Sequence, residues 1–349
     1  MIRPLAILAT VMVTAALAAC SSPEPTPTPP YGLPPLRLPA DEAPHDFQTE
    51  WWYFNLQLED ELGGSYLMHD VVFQVQRPDS EAALYVRQIG LADAATGRHA
   101  TSERLRIETT PAAAGDASFS VEMGDWLMAG QRGVSYRLVA GAGDFGYDLT
   151  LTSTGEPLLH DDDGLVDFGP AGISYYYTRP RLEVSGTLST ADGGTIAVTG
   201  LGWLDKQWGD FEPVALSWDW ASIQLDDGTD LMLSRLFEGK ERKVLTLYGT
   251  LRTPAGQTRT LGPEDITFEY LDNPWVSLVT GTAYQPAWHV AIPSVGIDVT
   301  LEPMLRESEF VSARLGVAYL ETGVRVLGAN DAPVGQGFVE LNWPRGTTP

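Results

Sequence analysis

The chain has 349 residues and carries 46 Asp and Glu against 22 Lys and Arg, a formal net charge of −24. So acidic a surface repels phosphate backbones and anionic headgroups, which excludes nucleic acid as a partner. The single cysteine, Cys20, excludes any disulfide within the chain.

The N-terminus reads as an export signal. Arg3 gives a short positive start, and Leu5 to Ala19 is an almost uncharged apolar run, shorter than the roughly 20 residues a membrane span needs. The run ends in Leu17-Ala18-Ala19-Cys20, which resembles the bacterial lipobox, so residues 1–19 are expected to be removed and Cys20 lipidated. Ser21 stands where a retention signal for the inner membrane would have Asp. The resemblance therefore implies an outer-membrane lipoprotein facing the periplasm or the cell surface. Nine prolines between Pro23 and Pro44 make residues 20–44 a candidate extended tether, with a reach on the order of 70 Å at about 3 Å per residue.

The remaining chain is longer than one usual domain, so two are expected. Short runs of β-type residues alternate with turn signals. Trp51–Leu58 and Ser65–Gln76 flank Gly63-Gly64, Leu182–Leu188 and Thr195–Leu204 flank Asp192-Gly193-Gly194, and Ser217–Leu225 and Leu231–Leu236 flank Asp227-Gly228. Hairpins at this spacing predict an all-β sandwich or barrel. Side chains alternate between faces along a strand. Glu50, Trp52, Phe54, Leu56 and Leu58 therefore share one largely apolar, inward face. Lys206 and Trp208 share a side with Ile196, Val198 and Leu204, unless a bulge at Gly200 or Gly202 intervenes.

Four segments in order carry a family resemblance: Glu50-Trp51-Trp52-Tyr53; Ser174 to Leu182; Gly202 to Gly209 with Ser217 to Leu233; and Tyr319 to Val326 with Gly337 to Leu341. Together they resemble the AttH-like and carotenoid 1,2-hydratase (hydroxyneurosporene synthase) family. The resemblance implies tandem lipocalin-like antiparallel β-barrels, one over residues 45–209 and one over 210–349. Family members include a hydratase of carotenoid synthesis and lipoproteins associated with an ABC exporter, so the fold does not decide the function.

Hydrating an isoprenoid double bond needs a proton donor, a dry pocket and aromatic faces to stabilise positive charge. Glu50, Asp205 and Lys206 are the catalytic candidates, and Trp52, Tyr177, Arg179, Trp208, Trp218, Trp220 and Gln224 the candidate ligand-binding residues. The hydratase pattern has His where this chain has Lys206, and its downstream Tyr and acidic residue find no match around Leu233 and Arg235. A Glu50–Lys206 pair closing one barrel end is the structural alternative to a catalytic lysine. No Gly-x-Ser-x-Gly elbow occurs, and His45, His69, His99, His160 and His289 lack metal-ligand spacing. Asp161-Asp162-Asp163-Gly164 lacks a calcium loop's later bidentate Glu. No metal or cofactor is therefore expected. The expected partners are a hydrophobic small molecule, the membrane through the lipid anchor, and an ABC transporter. The functional expectation is a membrane-anchored binder of a lipophilic compound. The alternatives are a hydratase, isomerase or cyclase acting on an isoprenoid or polyene, and a structural component of an envelope complex.

Overall fold

A computed structural model describes residues 30–347, apart from 78–79, 81, 110–116, 144, 190–192, 240–241 and 272–273. The signal segment and Cys20 lie outside the described residues. The chain divides into two units, Met1–Pro35 and Leu36–Pro349. Of the first, a single 3₁₀ turn over Pro30–Gly32 is described.

The first half of the larger unit is a succession of antiparallel strands: β1 (Thr49–Asp60), β2 (Ser65–Gln76), β3 (Ala82–Asp93), β4 (Arg98–Thr109), β5 (Ser118–Met123), β6 (Trp126–Gln131), β7 (Ser135–Ala142), β8 (Phe145–Ser153), β9 (Leu158–Leu159), β10 (Leu165–Asp167), β11 (Ile173–Ser189) and β12 (Thr195–Gly209). They form one sheet in the order β4-β3-β2-β1-β12-β11-β8-β7-β6-β5, with β9 and β10 added on β11. The second half contains β13 (Leu216–Leu225), β14 (Asp230–Glu238), β15 (Lys243–Arg252), β16 (Thr258–Leu261), β17 (Thr267–Tyr270), β18 (Trp275–Val276), β19 (Ala283–Tyr284), β20 (Trp288–Ile292), β21 (Ile297–Pro303), β22 (Glu309–Val311), β23 (Ala318–Leu327) and β24 (Pro333–Asn342). Its main sheet runs β16-β15-β14-β13-β24-β23-β21-β20-β17, with β22 on β23, while β18 and β19 pair separately. Both large sheets curl into barrel-like walls, giving the expected all-β, lipocalin-like fold. Among the described residues no helix is long and apolar enough to cross a membrane.

Alternation along the strands divides the buried residues into three groups. Trp52, Phe54, Leu56 and Leu58 of β1 and Leu204 of β12 point into the first barrel. Ala221, Ile223, Leu320 and Leu341 point into the second. Residues of opposite parity, among them Tyr53, Trp203, Trp220, Met232 and Phe338, form a third apolar layer where the two barrels meet. Burying each such large side chain contributes about 1.5–3 kcal/mol. Polar groups in this layer are also paired across it. The Gln224 amide donates to the Gly202 carbonyl at 3.1 Å, Ser222 to Asn55 Oδ1 at 3.2 Å and Tyr319 to Gln88 Oε1 at 2.8 Å.

The bulge considered at Gly200 and Gly202 does not occur. β1 and β12 pair without a break from Thr49–Gly209 to Asp60–Val198, and the register shifts instead on β11 between Arg179 and Leu182. Gly200 serves close approach, since a Cβ there would lie 2.0 Å from the Gln57 carbonyl oxygen. Lys206 accordingly points into the first barrel.

The expected tether over 20–44 needs correction at its end. Leu36 onward belongs to the folded unit, and a 3₁₀ turn at Ala40–Glu42 buries Glu42. The Glu42 carboxylate accepts from Arg179 Nε at 2.9 Å and from the Tyr136 hydroxyl at 3.3 Å. This segment lies against the first barrel and is fixed to it by a buried ion pair.

Candidate functional site

Where the outer faces of β1, β11 and β12 meet those of β13, β14, β23 and β24, the barrels border a partly open cavity of about 100 Å³. At 10–15 Å³ of such space per water, that is room for several waters or one ring-sized portion of a ligand. The first barrel contributes Trp51, Tyr53, Tyr176, Asp205 and Gln207 to its walls, and the second Trp218, Trp220, Ser234, Glu321 and Glu340. Three carboxyl groups thus face a mostly aromatic space.

Asp205 is held by a fixed set of donors. Trp203 Nε1 donates to its Oδ1 at 2.7 Å, and the Tyr176 and Thr178 hydroxyls also donate to the carboxylate. Trp220 Nε1 donates to the Tyr176 oxygen at 3.0 Å. His160 sits behind Thr178, with Nε2 at 2.8 Å from the Thr178 hydroxyl and Nδ1 at 2.8 Å from the Thr250 hydroxyl. Because Thr178 gives its proton to Asp205, His160 must carry hydrogen on Nε2 and accept from Thr250 on Nδ1. Burial pushes His160 down to about 3, so the ring is neutral. Burial also lifts Asp205 to about 6, against the pull of its donors.

Glu321 and Glu340 are direct cross-strand partners on β23 and β24. Burial, reinforced by the charge of Glu340, raises Glu321 well above the carboxylate range. Burial likewise lifts Glu340 to about 8, with the Trp218 hydrogen bond opposing. Two adjacent carboxyls in an apolar wall disfavour double ionisation, so the pair keeps a proton near neutrality. The Tyr53 hydroxyl donates to Glu321 at 3.2 Å, and His69 Nδ1 lies 3.1 Å from the same oxygen. His69 is pushed down to about 3 by burial. Its ring fits against Gly90, where a Cβ would fall 2.3 Å from Cε1.

The sequence candidates divide by strand parity. Asp205, Trp218 and Trp220 line the cavity. Glu50, Lys206, Trp52, Trp208, Tyr177 and Arg179 lie on the other side of the same sheet, inside or capping the first barrel. Lys206 and Glu50 form a fully buried ion pair. The lysine Nζ sits 3.9 Å from the Trp52 ring centroid and 4.8 Å from that of Trp208. His45 closes the pair from outside, donating its backbone N–H to Glu50 at 2.7 Å, with Nδ1 2.9 Å from the other oxygen and its ring stacked on Trp208 at 4.2 Å. Gln224 is buried in the contact between barrels and does not line the cavity. Glu321, Glu340, His69 and His160 are the functional candidates that sequence reasoning did not single out. The available signal was an acidic residue inside an otherwise apolar strand. Among the described residues no three His, Cys, Asp or Glu side chains come together to hold a metal.

The fold has counterparts among known proteins. No curated protein matches the chain. A putative AttH from Nitrosomonas europaea superposes with a TM-score of 0.78 at 29% identity, over 93% of this chain and all of that one. Kievitone hydratase from Nectria haematococca matches at a TM-score of 0.71 and 16% identity, over 90% of this chain and 95% of its own. CghA, solved with Sch210972, matches at 0.60 and 14% identity over 86% and 89%. The latter two likenesses are of fold alone. The AttH-like family model matches residues 29–343, and the chain therefore belongs to the AttH-like family.

Proposed function

We propose that this protein is an extracytoplasmic lipoprotein that takes a lipophilic small molecule into the cavity between its two barrels. The observation that carries the reading is the cavity itself: an aromatic recess with a few convergent polar groups, the usual form of a small-molecule site. A purely structural role in an envelope complex would not need such a recess, and the polar groups in it would be a liability. Anchoring through Cys20, as the lipobox-like Leu17-Ala18-Ala19-Cys20 implies, and delivery to an ABC exporter, as the family resemblance implies, fit this reading.

A second reading is favoured by the raised carboxyls. A group with a pKa near the working pH is an effective proton donor, and Glu340 at about 8 and Asp205 at about 6 bracket neutrality. Protonation of a carbon–carbon double bond beside Trp218 and Trp220 would place the developing positive charge against ring faces. Hydration or isomerisation of an alkene is then within the site's chemistry, as the name of the hydratase neighbour suggests.

The test is direct. Extraction of the purified protein with organic solvent, followed by mass spectrometry, should release a bound apolar compound. The neutral fluorophore N-phenyl-1-naphthylamine should bind saturably, and Ser234→Leu, which fills the cavity from β14, should abolish that binding. Saturable binding that Ser234→Leu leaves unchanged would place the ligand elsewhere.

A further inference from the structure

The walls of the cavity carry charge of one sign only. Among its described lining residues are three carboxyls, Asp205, Glu321 and Glu340, and no Lys, Arg or His. Among the described residues every other fully buried carboxyl has a cation beside it: Glu50 has Lys206, Glu42 has Arg179, Asp70 has Arg87, Asp219 has Arg242, and Asp230 has Arg252. The three cavity carboxyls break that pattern. Asp205 has only hydroxyl and indole donors, Glu321 has Tyr53 and a neutral His69, and Glu340 has the Trp218 indole. Among the described residues, the counter-charge is missing here. The cavity is also lined by Trp51, Trp218 and Trp220, and the π-face of an indole attracts positive charge and disfavours negative.

We infer that the natural occupant of this cavity is a lipophilic organic cation, an ammonium group on an apolar body, whose charge takes the place of the protons on the cavity carboxyls. The inference rests on the reading of the cavity as the ligand site. An anion would meet three acids and no donor cation, whereas a neutral molecule would leave the carboxyls as they are. The available space holds the ammonium head with about one ring, so the rest of a larger ligand extends along the opening between the barrels.

The groups that face the three carboxyls set the pH window. Tyr176, Thr178 and Trp203 face Asp205, with His160 behind them and Tyr248, itself raised by burial, across the cavity. Tyr53, His69 and Tyr319 surround Glu321, and Trp218 faces Glu340. Both histidines are neutral and the tyrosines are raised above 10. Between pH 5 and 9 only the carboxyls themselves change charge, and a bound cation should favour their ionised forms.

The experiment compares phenyltrimethylammonium, which is positive at every pH, with tert-butylbenzene, which has the same shape and no charge. Each is titrated against the full-length protein holding N-phenyl-1-naphthylamine, and calorimetry in two buffers of different ionisation enthalpy counts protons released. The expected result is displacement by the cation with an affinity that rises about tenfold or more from pH 6 to pH 8, accompanied by proton release. Glu340→Gln should weaken the cation about tenfold at pH 8 and leave tert-butylbenzene unchanged, while Ser234→Leu removes both. Tert-butylbenzene binding as well as the cation at pH 8, or a cation affinity equal at pH 6 and pH 8, overturns the inference. Displacement by the neutral compound alone overturns it while leaving the ligand site in place. Failure of the fluorophore to bind at all brings down both.

Discussion

Replacing Lys206 by Met tests whether the first barrel's interior is structural. The lysine is fully buried, it pairs with the Glu50 carboxylate, and its Nζ lies over Trp52 and Trp208. Removing one member of a buried pair strands the other, at a cost of about 3–5 kcal/mol, and loss of a desolvated cation–π contact adds about 2 kcal/mol. Two features reduce the total. Glu50 keeps the His45 backbone N–H and ring, and Met occupies most of the volume of the lysine stem. We expect a net loss of about 3 kcal/mol, roughly a hundredfold in the folding equilibrium. The double variant Glu50→Gln, Lys206→Met should regain most of it, because no charge is then left unpaired. Urea unfolding at pH 7, followed by tryptophan fluorescence and circular dichroism, measures both. N-phenyl-1-naphthylamine binding should be unchanged in each, since Lys206 faces away from the cavity. A single variant within about 0.5 kcal/mol of wild type, or one that loses the fluorophore while keeping its stability, would refute the reasoning.

Two further outcomes follow from the same geometry and from the sequence. The folded-state pKa of Glu340, about 8, lies above its ordinary 4.5. Its contribution to stability is therefore complete below 4.5 and is lost as pH rises through 8. Glu340→Gln should flatten the fall in unfolding free energy, measured in urea, between pH 5 and pH 9 by an amount on the order of a few kcal/mol, and parallel curves for the two proteins would contradict this. Cys20→Ala should move the protein from membrane to soluble periplasmic fractions or leave it unprocessed, and a variant still processed and membrane-bound would remove the lipoprotein reading.

Much of the fold was legible because its determinants are local. Glycine-rich turns between alternating strands set the hairpins, and strand parity placed Glu50, Trp52 and Lys206 inside a barrel. The location of the cavity was not legible in the same way. Parity says which residues share a face, but not whether a second sheet covers that face. Trp51, Tyr53, Asn55 and Gln57 read as the half-polar outer side of a single barrel, yet here they meet the second barrel. The clue lay in aromatics on both faces of one strand, as in Trp51-Trp52-Tyr53 and Tyr175-Tyr176-Tyr177, since a face turned to water has little use for them. Glu321 and Glu340 were hidden because their pairing depends on the register of β23 against β24, which the sequence does not state. Proline content disguised residues 36–44, where one buried carboxylate, Glu42, outweighs the extended character of its neighbours.

Strand β12 separates two interiors that differ in chemistry by the thickness of a single backbone. Asp205 and Gln207 belong to one compartment, Lys206 and Trp208 to the other. Such a segment can vary by exchange of side chains but not by change of length. Inserting or deleting one residue just before Asp205 would carry an acid into the company of Glu42 and Glu50 and expose an ammonium to the aromatic recess, inverting both compartments at once. A saturation scan along Leu204 to Trp208 should consequently show a two-residue beat, with even positions governing survival to heat and odd positions governing what the protein carries.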